Sequence, residues 1–171
     1  MKKLLSKKRY LKYYLLGVAD SEGCFSIATK KQKTARFRWI LDPLFQITQH
    51  KNNIKVLELF QKELKCGRII EKPGQKNILV YLVDNRRQLK EKIIPFFEKY
   101  KLLTKQKDFQ TFKEVVEALE NKEHHNKGKF KKLVKKVFEM NLQGKQRRYE
   151  LEKILNEIEE TGSSETIRQT S

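Results

Sequence analysis

The sequence is poor in cysteine and proline, has no long apolar run, and carries acids only as a minority of its charges. Its two cysteines, Cys24 and Cys66, exclude a disulfide-dense scaffold and a four-cysteine zinc site, and we expect both thiols to be reduced and at least partly buried. No apolar stretch approaches the roughly 20 residues of a membrane-spanning helix. The first 19 residues hold several lysines and no acid. Their short apolar stretch runs into Asp20 without a small-residue cleavage site, so we expect no signal or transit peptide.

Positive charge dominates what is present. Lys plus Arg number 39 against 21 Asp plus Glu, which gives a formal net charge of +18, while 38% of residues are hydrophobic. The chain is therefore too apolar for a disordered basic tail. Such a field attracts polyanions, and nucleic acid is the expected partner. Because the bases are spread over the whole chain, a broad docking surface is favoured over a membrane-surface helix. Binding to an acidic protein and plain solubility remain alternatives.

Hydrophobic periodicity predicts two hairpins and six helices. Period-two alternation predicts strands at 24–31, 35–48, 68–72 and 77–83, with turns at 32–34 and at Pro73-Gly74. Helical spacing predicts helices at 10–20, 52–64, 86–99, 105–120, 127–140 and 145–160. Pro43 predicts a bulge or a sheet edge, and Pro95 predicts a kink or a helix end.

The order of these elements is an internal αββ repeat. It predicts an α+β fold of the form αββαββα, in which helices back one face of a four-stranded antiparallel sheet. We expect one domain over 1–160, with a core at about 10–120, C-terminal helices at 121–160 that either bind DNA backbone or stabilise a dimer, and a disordered tail at 161–171.

The free face of the sheet is the predicted DNA-docking surface, because β-ribbons fit the major groove and Arg and Gln donate to base edges. A merely solvated face is the alternative. The residues predicted on this face are Ser26, Ala28, Lys30, Gln32, Arg36, Arg38, Ile40, Asp42, Leu44, Gln46, Thr48, Arg68, Ile70 and Lys72.

Residues 15–23, which read LLGVADSEG, continue into the alternating segment Cys24-Phe25-Ser26-Ile27. The motif, its place before a hairpin and the αββαββα order resemble the LAGLIDADG homing endonucleases over roughly residues 10–120. Leu16 stands where the family usually has a small Ala, and Glu22 replaces the commoner Asp. Only one copy of the motif is present, so the resemblance is to the single-motif branch, whose members act as homodimers on nearly palindromic sites. Two-fold packing of the motif helices agrees with this. The expected interface residues are Tyr13, Leu16, Gly17 and Asp20.

The resemblance implies a metal-dependent, site-specific double-strand DNA endonuclease. In this family the last acid of the motif, here Glu22, binds the catalytic metal together with the backbone oxygen of Ser21. Carboxylates and carbonyls suit Mg²⁺; Mn²⁺ is expected to substitute, and Ca²⁺ to bind without supporting cleavage. Zinc is not expected, because the three histidines have no cysteine at ligand spacing.

Three further positions match the family pattern. Gln49 matches a residue that orders water at the scissile phosphate, and Lys105 matches an active-site lysine, with Lys107 as its rival. Asp20 matches an acid that is structural at the helix end. Asn53 stands near a place where the family often has a basic residue, so that contact is in question.

Two other functions fit the same fold. An intron maturase that assists RNA splicing, with intron RNA as partner, is the main alternative, and a DNA-binding regulator without cleavage is another. The resemblance further implies an intron-encoded protein that is intracellular, in a mitochondrion or chloroplast, and without a membrane partner.

Overall fold

The computed structural model of the chain describes residues 8–140 and 149–166. Six helices and four strands follow one another in the predicted order. They are α1 (Lys8–Glu22), β1 (Gly23–Lys31), β2 (Trp39–His50), α2 (Ile54–Leu64), β3 (Arg68–Lys72), β4 (Gln75–Val83), α3 (α-helical Arg86–Gln88, π-helical Leu89–Ile93 and α-helical Ile94–Lys99), α4 (Gln106–Glu120), α5 (Lys127–Glu139) and α6 (Leu151–Thr166). Short 3₁₀ turns at Lys51–Asn53 and Glu123–His125 precede α2 and α5. None of the helices in these two stretches is long and apolar enough to cross a membrane.

The four strands form one antiparallel sheet in the order β1-β2-β4-β3. Along β2, odd-numbered residues from Trp39 to Ile47 are buried, and the even-numbered ones between them are half-buried. Four of the five odd-numbered residues, all but Pro43, belong to the hydrophobic core that the helices cover. The predicted α+β fold, with helices on one face of a four-stranded sheet, is therefore confirmed.

The first hairpin differs from the prediction at its turn. Strand β2 begins at Trp39 instead of residue 35, and residues 32–38 form a closed loop. The backbone N–H of Gln32 donates to the carbonyl of Arg38 at 2.8 Å, and Arg38 donates to Ala35 at 2.9 Å. Arg38 has a positive φ of 60°, which interrupts the extended backbone that the alternation predicted. The second hairpin turns through Pro73-Gly74, as expected.

Both prolines act as predicted. Pro43 pairs with Ile27 of β1, in the half of β2 that has no partner strand on its other side, because β4 pairs with β2 only from Phe45 onward. Pro95 lies in the first turn of Ile94–Lys99, two residues beyond the end of the π-helical turn at Ile93. The wider turn accommodates a residue that has no N–H to donate.

The C-terminal helix is displaced along the sequence from its predicted position. It begins at Leu151 instead of 145 and extends to Thr166, so residues 161–166 do not belong to a disordered tail. The Thr161 hydroxyl donates to the carbonyl of Ile158 at 2.9 Å within the helix. The predicted helical residues 145–148 and the remaining tail 167–171 lie outside the described residues.

Aromatic rings fill the core between sheet and helices. Phe25 of β1 is 2% exposed and lies at its centre. Its ring contacts those of Phe45, Phe97, Phe109 and Phe112, with centroid distances of 4.9–5.4 Å. One side chain therefore joins β1 to β2, α3 and α4, and this packing fixes the strand that follows the motif.

Replacing Phe25 with Ala should lower the free energy of unfolding by about 3–5 kcal/mol, because the substitution leaves a cavity among four rings. Chemical denaturation measures this difference. Leu103, which is 90% exposed, provides the control. Leu103→Ala should change the unfolding free energy by less than about 0.5 kcal/mol, and equal losses in the two variants would contradict the described core.

Candidate active site at the end of the motif helix

The motif helix α1 has one buried and one open side. Leu15 and Ala19, one turn apart, are fully buried against the core. The opposite side exposes aromatic and small residues, namely Tyr10, Tyr13, Tyr14, Gly17 and Ser21. Their spacing of three and four residues makes a continuous stripe along the helix.

Gly23 makes the sharp change from α1 into β1. A Cβ atom at this position would lie 2.4 Å from the carbonyl oxygen of Ala19, closer than any side chain tolerates. The chain therefore passes from helix to strand without a linking residue. This places Ser21 and Glu22 at the end of the sheet where Gly23 pairs with Ile47 of β2.

The carboxylate of Asp20 binds the segment that enters α4. It accepts hydrogen bonds from the backbone N–H groups of Leu103, Thr104 and Lys105 at 3.0–3.2 Å. The Thr104 hydroxyl lies 3.0 Å from the Asp20 carboxylate and 2.9 Å from the Asp20 carbonyl. The Asp20 side chain thus accepts from backbone N–H groups at the start of α4 that have no acceptor within that helix, although α4 begins some 80 residues later in the sequence.

These hydrogen bonds also set the charge of Asp20. Burial favours the protonated carboxyl, but the bonds from Thr104, Lys105 and Leu103 outweigh it and hold the pKa of Asp20 below its ordinary value. Asp20 is therefore ionised at neutral pH, in the structural position that the sequence predicts.

The same segment carries Lys105 to the end of α1. Its ammonium donates to the carbonyl oxygens of Asp20 at 2.8 Å and of Ser21 at 2.6 Å. Lys107, its rival in the sequence, makes no such contact within the described residues. The structure thus brings the Lys105 ammonium to Ser21, the sequence neighbour of Glu22. The catalytic role of Lys105 stays a prediction.

Glu22, the last residue of α1, is exposed and has no hydrogen-bond or ion-pair partner among the described residues. Its carboxylate and the Ser21 carbonyl are hard oxygen donors of the kind that Mg²⁺ binds, so the residues present fit a divalent ion. No group of three or more His, Cys, Asp or Glu suited to a metal occurs in residues 8–140 and 149–166. One chain thus offers part of a coordination shell.

Gln49 lies near the same end of the sheet, two residues beyond the Gly23–Ile47 pair. Its side-chain oxygen accepts a hydrogen bond from the amide of Asn53 at 3.3 Å, which orients the Gln49 carboxamide. Asn53, which stands near the position where the family often has a basic residue, therefore holds the side chain of Gln49.

The open face of the sheet carries two ion pairs. Lys30 contacts Asp42, and Arg68 donates to both carboxylate oxygens of Asp84 at 2.6–2.7 Å. The Arg68 hydrogen bonds hold the pKa of Asp84 below its ordinary value. Each acid lies two positions beyond the residue opposite its base, a diagonal cross-strand relation. Asp84 was not among the predicted residues, because a turn through Pro73-Gly74 without a bulge would pair Arg68 with Leu79. The bulge between Glu71 and Lys72 pairs Arg68 with Leu82 instead, which brings it within reach of Asp84.

The other predicted docking residues divide into two groups. Half-buried positions on the same face as Lys30 alternate along β1 and β2, and Ile70 shares that face on β3; they are Ser26, Ala28, Ile40, Asp42, Leu44, Gln46, Thr48 and Ile70. Gln32 lies in the loop at the hairpin end, where the turn was predicted. Arg36 and Arg38 lie in the same loop, which corrects their predicted strand positions. A bulge between Glu71 and Lys72 breaks the alternation, so the face of Lys72 does not follow from Arg68.

The four predicted interface residues have different surroundings. Gly17 is exposed, and a Cβ there would meet nothing within 4 Å. Tyr13 is half exposed and packs edge-on against Tyr100 at 5.7 Å. Leu16 is half-buried, and the Asp20 carboxylate is taken up by the 103–105 segment. Open surface for a second helix is therefore centred on Gly17.

Both cysteines are free thiols, as predicted. Cys24 is half-buried and Cys66 is buried, and burial raises the pKa of each. The hydroxyl of Tyr81 donates to the Cys66 carbonyl at 3.1 Å. Both are neutral at pH 7, which suits packing and not metal binding.

Comparison with known proteins agrees with this geometry. The family model described as LAGLIDADG endonuclease matches residues 15–116, more than half of the chain. The DNA endonuclease I-CeuI of Chlamydomonas moewusii is 38% identical over 130 residues, which are 74% of this chain and 58% of the relative. Homing endonuclease I-ApeII of Aeropyrum pernix is 35% identical over 109 residues, 64% of each chain. The chain thus spans about three fifths of the length of these two curated relatives. It belongs to the LAGLIDADG endonuclease family.

Solved structures match over most of the chain. The archaeal intron-encoded homing endonuclease I-Vdi141I, complexed with DNA, superposes with a TM-score of 0.86 at 36% identity and covers 91% of this chain and 99% of its own. The group I intron-encoded homing endonuclease I-CeuI, also complexed with DNA, superposes with a TM-score of 0.79 at 30% identity. The match covers 92% of this chain and 85% of the I-CeuI chain. The fold is that of a homing endonuclease.

Replacing Asp20 with Asn should lower the free energy of unfolding by about 1–3 kcal/mol, because a charged acceptor of several backbone N–H groups is lost. The folded pKa of Asp20 is depressed, so its contribution is complete above the unfolded value of 3.8 and is lost as pH falls through the folded value. Denaturation of both proteins from pH 7 to pH 2 should show the difference shrinking below about pH 4. A constant difference would contradict the anchoring role of the carboxylate.

Proposed function

We propose that the chain is a site-specific homing endonuclease that cleaves both strands of a long, nearly palindromic DNA target with a divalent metal ion. The observation that carries this proposal is the meeting of Glu22, the Ser21 carbonyl and the Lys105 ammonium at one end of the sheet. Membership of the family supports it, as do the DNA-bound states of I-Vdi141I and I-CeuI.

Glu22 and the backbone oxygen of Ser21 are the proposed metal ligands. Oxygens of the DNA and water would complete the shell, since the described part of one chain offers no larger group of metal-ligating side chains. When bound, a divalent ion polarises the phosphoryl oxygen and lowers the pKa of a bound water. Mg²⁺ is the proposed ion, with Mn²⁺ as substitute and Ca²⁺ supporting binding alone.

The remaining site residues act on the reacting phosphate. The Gln49 carboxamide, oriented by Asn53, holds a water in line with the scissile bond. The water oxygen bonds to phosphorus, its proton passes to solvent, and the bridging ester oxygen leaves and takes up a proton. The Lys105 ammonium moves from the carbonyls of α1 to the charged phosphoryl oxygens, which it stabilises.

The open face of the sheet is the proposed DNA-reading surface. Lys30 and Arg68 are both paired with acids there, so this face offers donors and acceptors side by side. Acids accept from cytosine amino groups, while Arg and Gln donate to guanine and adenine edges. Such a mixed face favours recognition of particular base edges over uniform attraction to phosphate.

A homodimer is the proposed active form, because one subunit offers a single motif and a duplex has two strands to cut. The stripe on α1 that is centred on Gly17 is the surface that would pack on its two-fold copy. An intron-encoded origin and an organellar location are part of the proposal, and relatives such as the probable intron-encoded endonuclease Cox1-I1b of Schizosaccharomyces pombe support it. The maturase alternative is not favoured, since the relatives that match are named as endonucleases.

Replacing Glu22 with Gln should leave DNA affinity within about twofold and slow cleavage by at least about a hundredfold, because charge stabilisation by a bound metal is worth several kcal/mol. A randomised duplex library incubated with Mg²⁺, followed by sequencing of the cut ends, identifies the target. Cleavage rates on that target then compare the variants. Glu58→Gln, an equal change in charge on the exposed side of α2, is the control. DNA cleavage by the Glu22 variant at the wild-type rate would contradict the assignment of Glu22 as a metal ligand.

Replacing Gly17 with Leu should weaken dimerisation by about tenfold to a hundredfold, because the new side chain appears twice in a two-fold contact. The fold of the subunit should tolerate the change, since no atom lies within 4 Å of a Cβ at that position. Sedimentation gives the dimer dissociation constant, and thermal melting tests the fold. Gly128→Leu on the exposed side of α5 is the matched control. A Gly17→Leu protein that dimerises like the wild type would place the interface elsewhere.

A further inference from the structure

The C-terminal helices pack on the end of the β1–β2 hairpin. Phe130 of α5 stacks on Phe37 of the hairpin loop at 5.6 Å between ring centroids. Tyr149, just before α6, packs edge-on against Trp39, the first residue of β2, at 4.8 Å. We call α5, α6 and Tyr149 the C-terminal brace. Its contacts with the loop join segments that lie about a hundred residues apart in the sequence.

Glu157 of α6 adds a polar contact with both strands of the hairpin. Its carboxylate accepts a hydrogen bond from Trp39 Nε1 at 3.1 Å, and the Lys31 ammonium lies 2.7 Å from it. The Lys31 ammonium also lies 5.6 Å from the centre of the Trp39 ring. The hydrogen bond from Lys31 and that from Trp39 hold the pKa of Glu157 below its ordinary value, so the contact persists at neutral pH. One carboxylate therefore fixes the last residue of β1 and the first residue of β2.

The brace is itself held together. Lys127 and Lys131 of α5 both contact the carboxylate of Glu159 on α6, at 3.2 Å and 2.7 Å. Ile154 and Ile158 of α6 are fully buried in the same core cluster as the sheet. A helix pair that is packed in this way resists displacement, so its contacts restrict the positions that the loop can adopt.

The loop lies far from the candidate active site and is strongly basic. From Gly23 to Lys31, β1 spans eight residue steps at a rise of about 3.4 Å, or about 27 Å along the strand. This corresponds to about eight base pairs of duplex. Residues 32–38 hold three bases, namely Lys33, Arg36 and Arg38, and no acid. Because arginine donates to base edges as well as to phosphates, a loop of this composition at this distance is placed to read base pairs beyond the central part of a target.

We propose that the C-terminal brace holds the loop 32–38 where it contacts DNA at the outer end of each target half, and that Glu157 is the positioning residue for this contact. The inference rests on the proposed function for its DNA partner. In this proposal the helices after residue 121 contribute to recognition of the DNA target and take no part in its cleavage. Glu157 itself touches no base or phosphate and acts only through Trp39 and Lys31.

The test compares Glu157→Ala with Glu160→Ala. Both variants remove one acid from α6 and raise the net charge equally, but Glu160 is exposed and has no partner among the described residues. Trp39→Phe is a second variant, which keeps a ring against Tyr149 and removes the Nε1 donor. Two readouts are measured: amide hydrogen exchange of residues 32–38 in the free protein, and affinity for the library-selected duplex with single base-pair changes at inner and outer positions.

Glu157→Ala and Trp39→Phe should speed exchange in the loop by about tenfold. Discrimination at positions about eight base pairs or more from the centre should fall by about fivefold to tenfold, with inner positions within twofold of wild type. Glu160→Ala should match the wild type in both readouts. Unchanged exchange, or equal loss at inner and outer positions, would overturn the proposal. A wild-type protein that selects no sequence from the library would contradict the proposed function, while the exchange data would still decide whether Glu157 holds the loop.

Discussion

The Asp20 carboxylate is the contact on which the candidate site depends. It lies on the motif helix, yet its hydrogen-bond donors belong to the segment that enters α4. A charged acceptor shared by several backbone N–H groups is strong and directional, so it fixes the segment in one conformation. Lys105 belongs to that segment, and its ammonium reaches the end of α1 for this reason. A single acid therefore sets the distance between the motif and a lysine that the sequence places far away.

The same logic separates what the sequence predicts from what it does not. Alternation along β2 correctly gave its buried face, because a period of two is set by the pleat of a strand. It failed at residues 35–38, where a positive φ at Arg38 closes a loop that still reads as alternating. Hydrophobic alternation predicts which face of an ideal strand a residue lies on. It does not show where the backbone leaves the extended conformation.

The candidate site divides in the same way. The resemblance to the family pointed to Glu22, Ser21 and Lys105, and the structure brings the Lys105 ammonium to the Ser21 carbonyl. The catalytic roles of these residues stay predictions. Asp84 was not predicted, because a bulge between Glu71 and Lys72, which the turn signal does not show, brings Arg68 opposite Leu82. Glu157 was not predicted either, because its partner Trp39 is 118 residues away and the helix that carries it begins six residues later than its periodicity suggests. Contacts between distant segments follow from packing, which periodicity does not encode.

The Lys105 ammonium on the Ser21 carbonyl has a consequence for how an ion would arrive. An oxygen that already accepts from an intramolecular cation is available to a dissolved ion only by exchange, and a tethered competitor acts at a high local concentration. Anionic phosphate offers the ammonium a better destination than a carbonyl. If the proposed function holds, duplex and metal would load cooperatively, and a subunit away from DNA would leave its metal site unfilled even in a solution rich in magnesium.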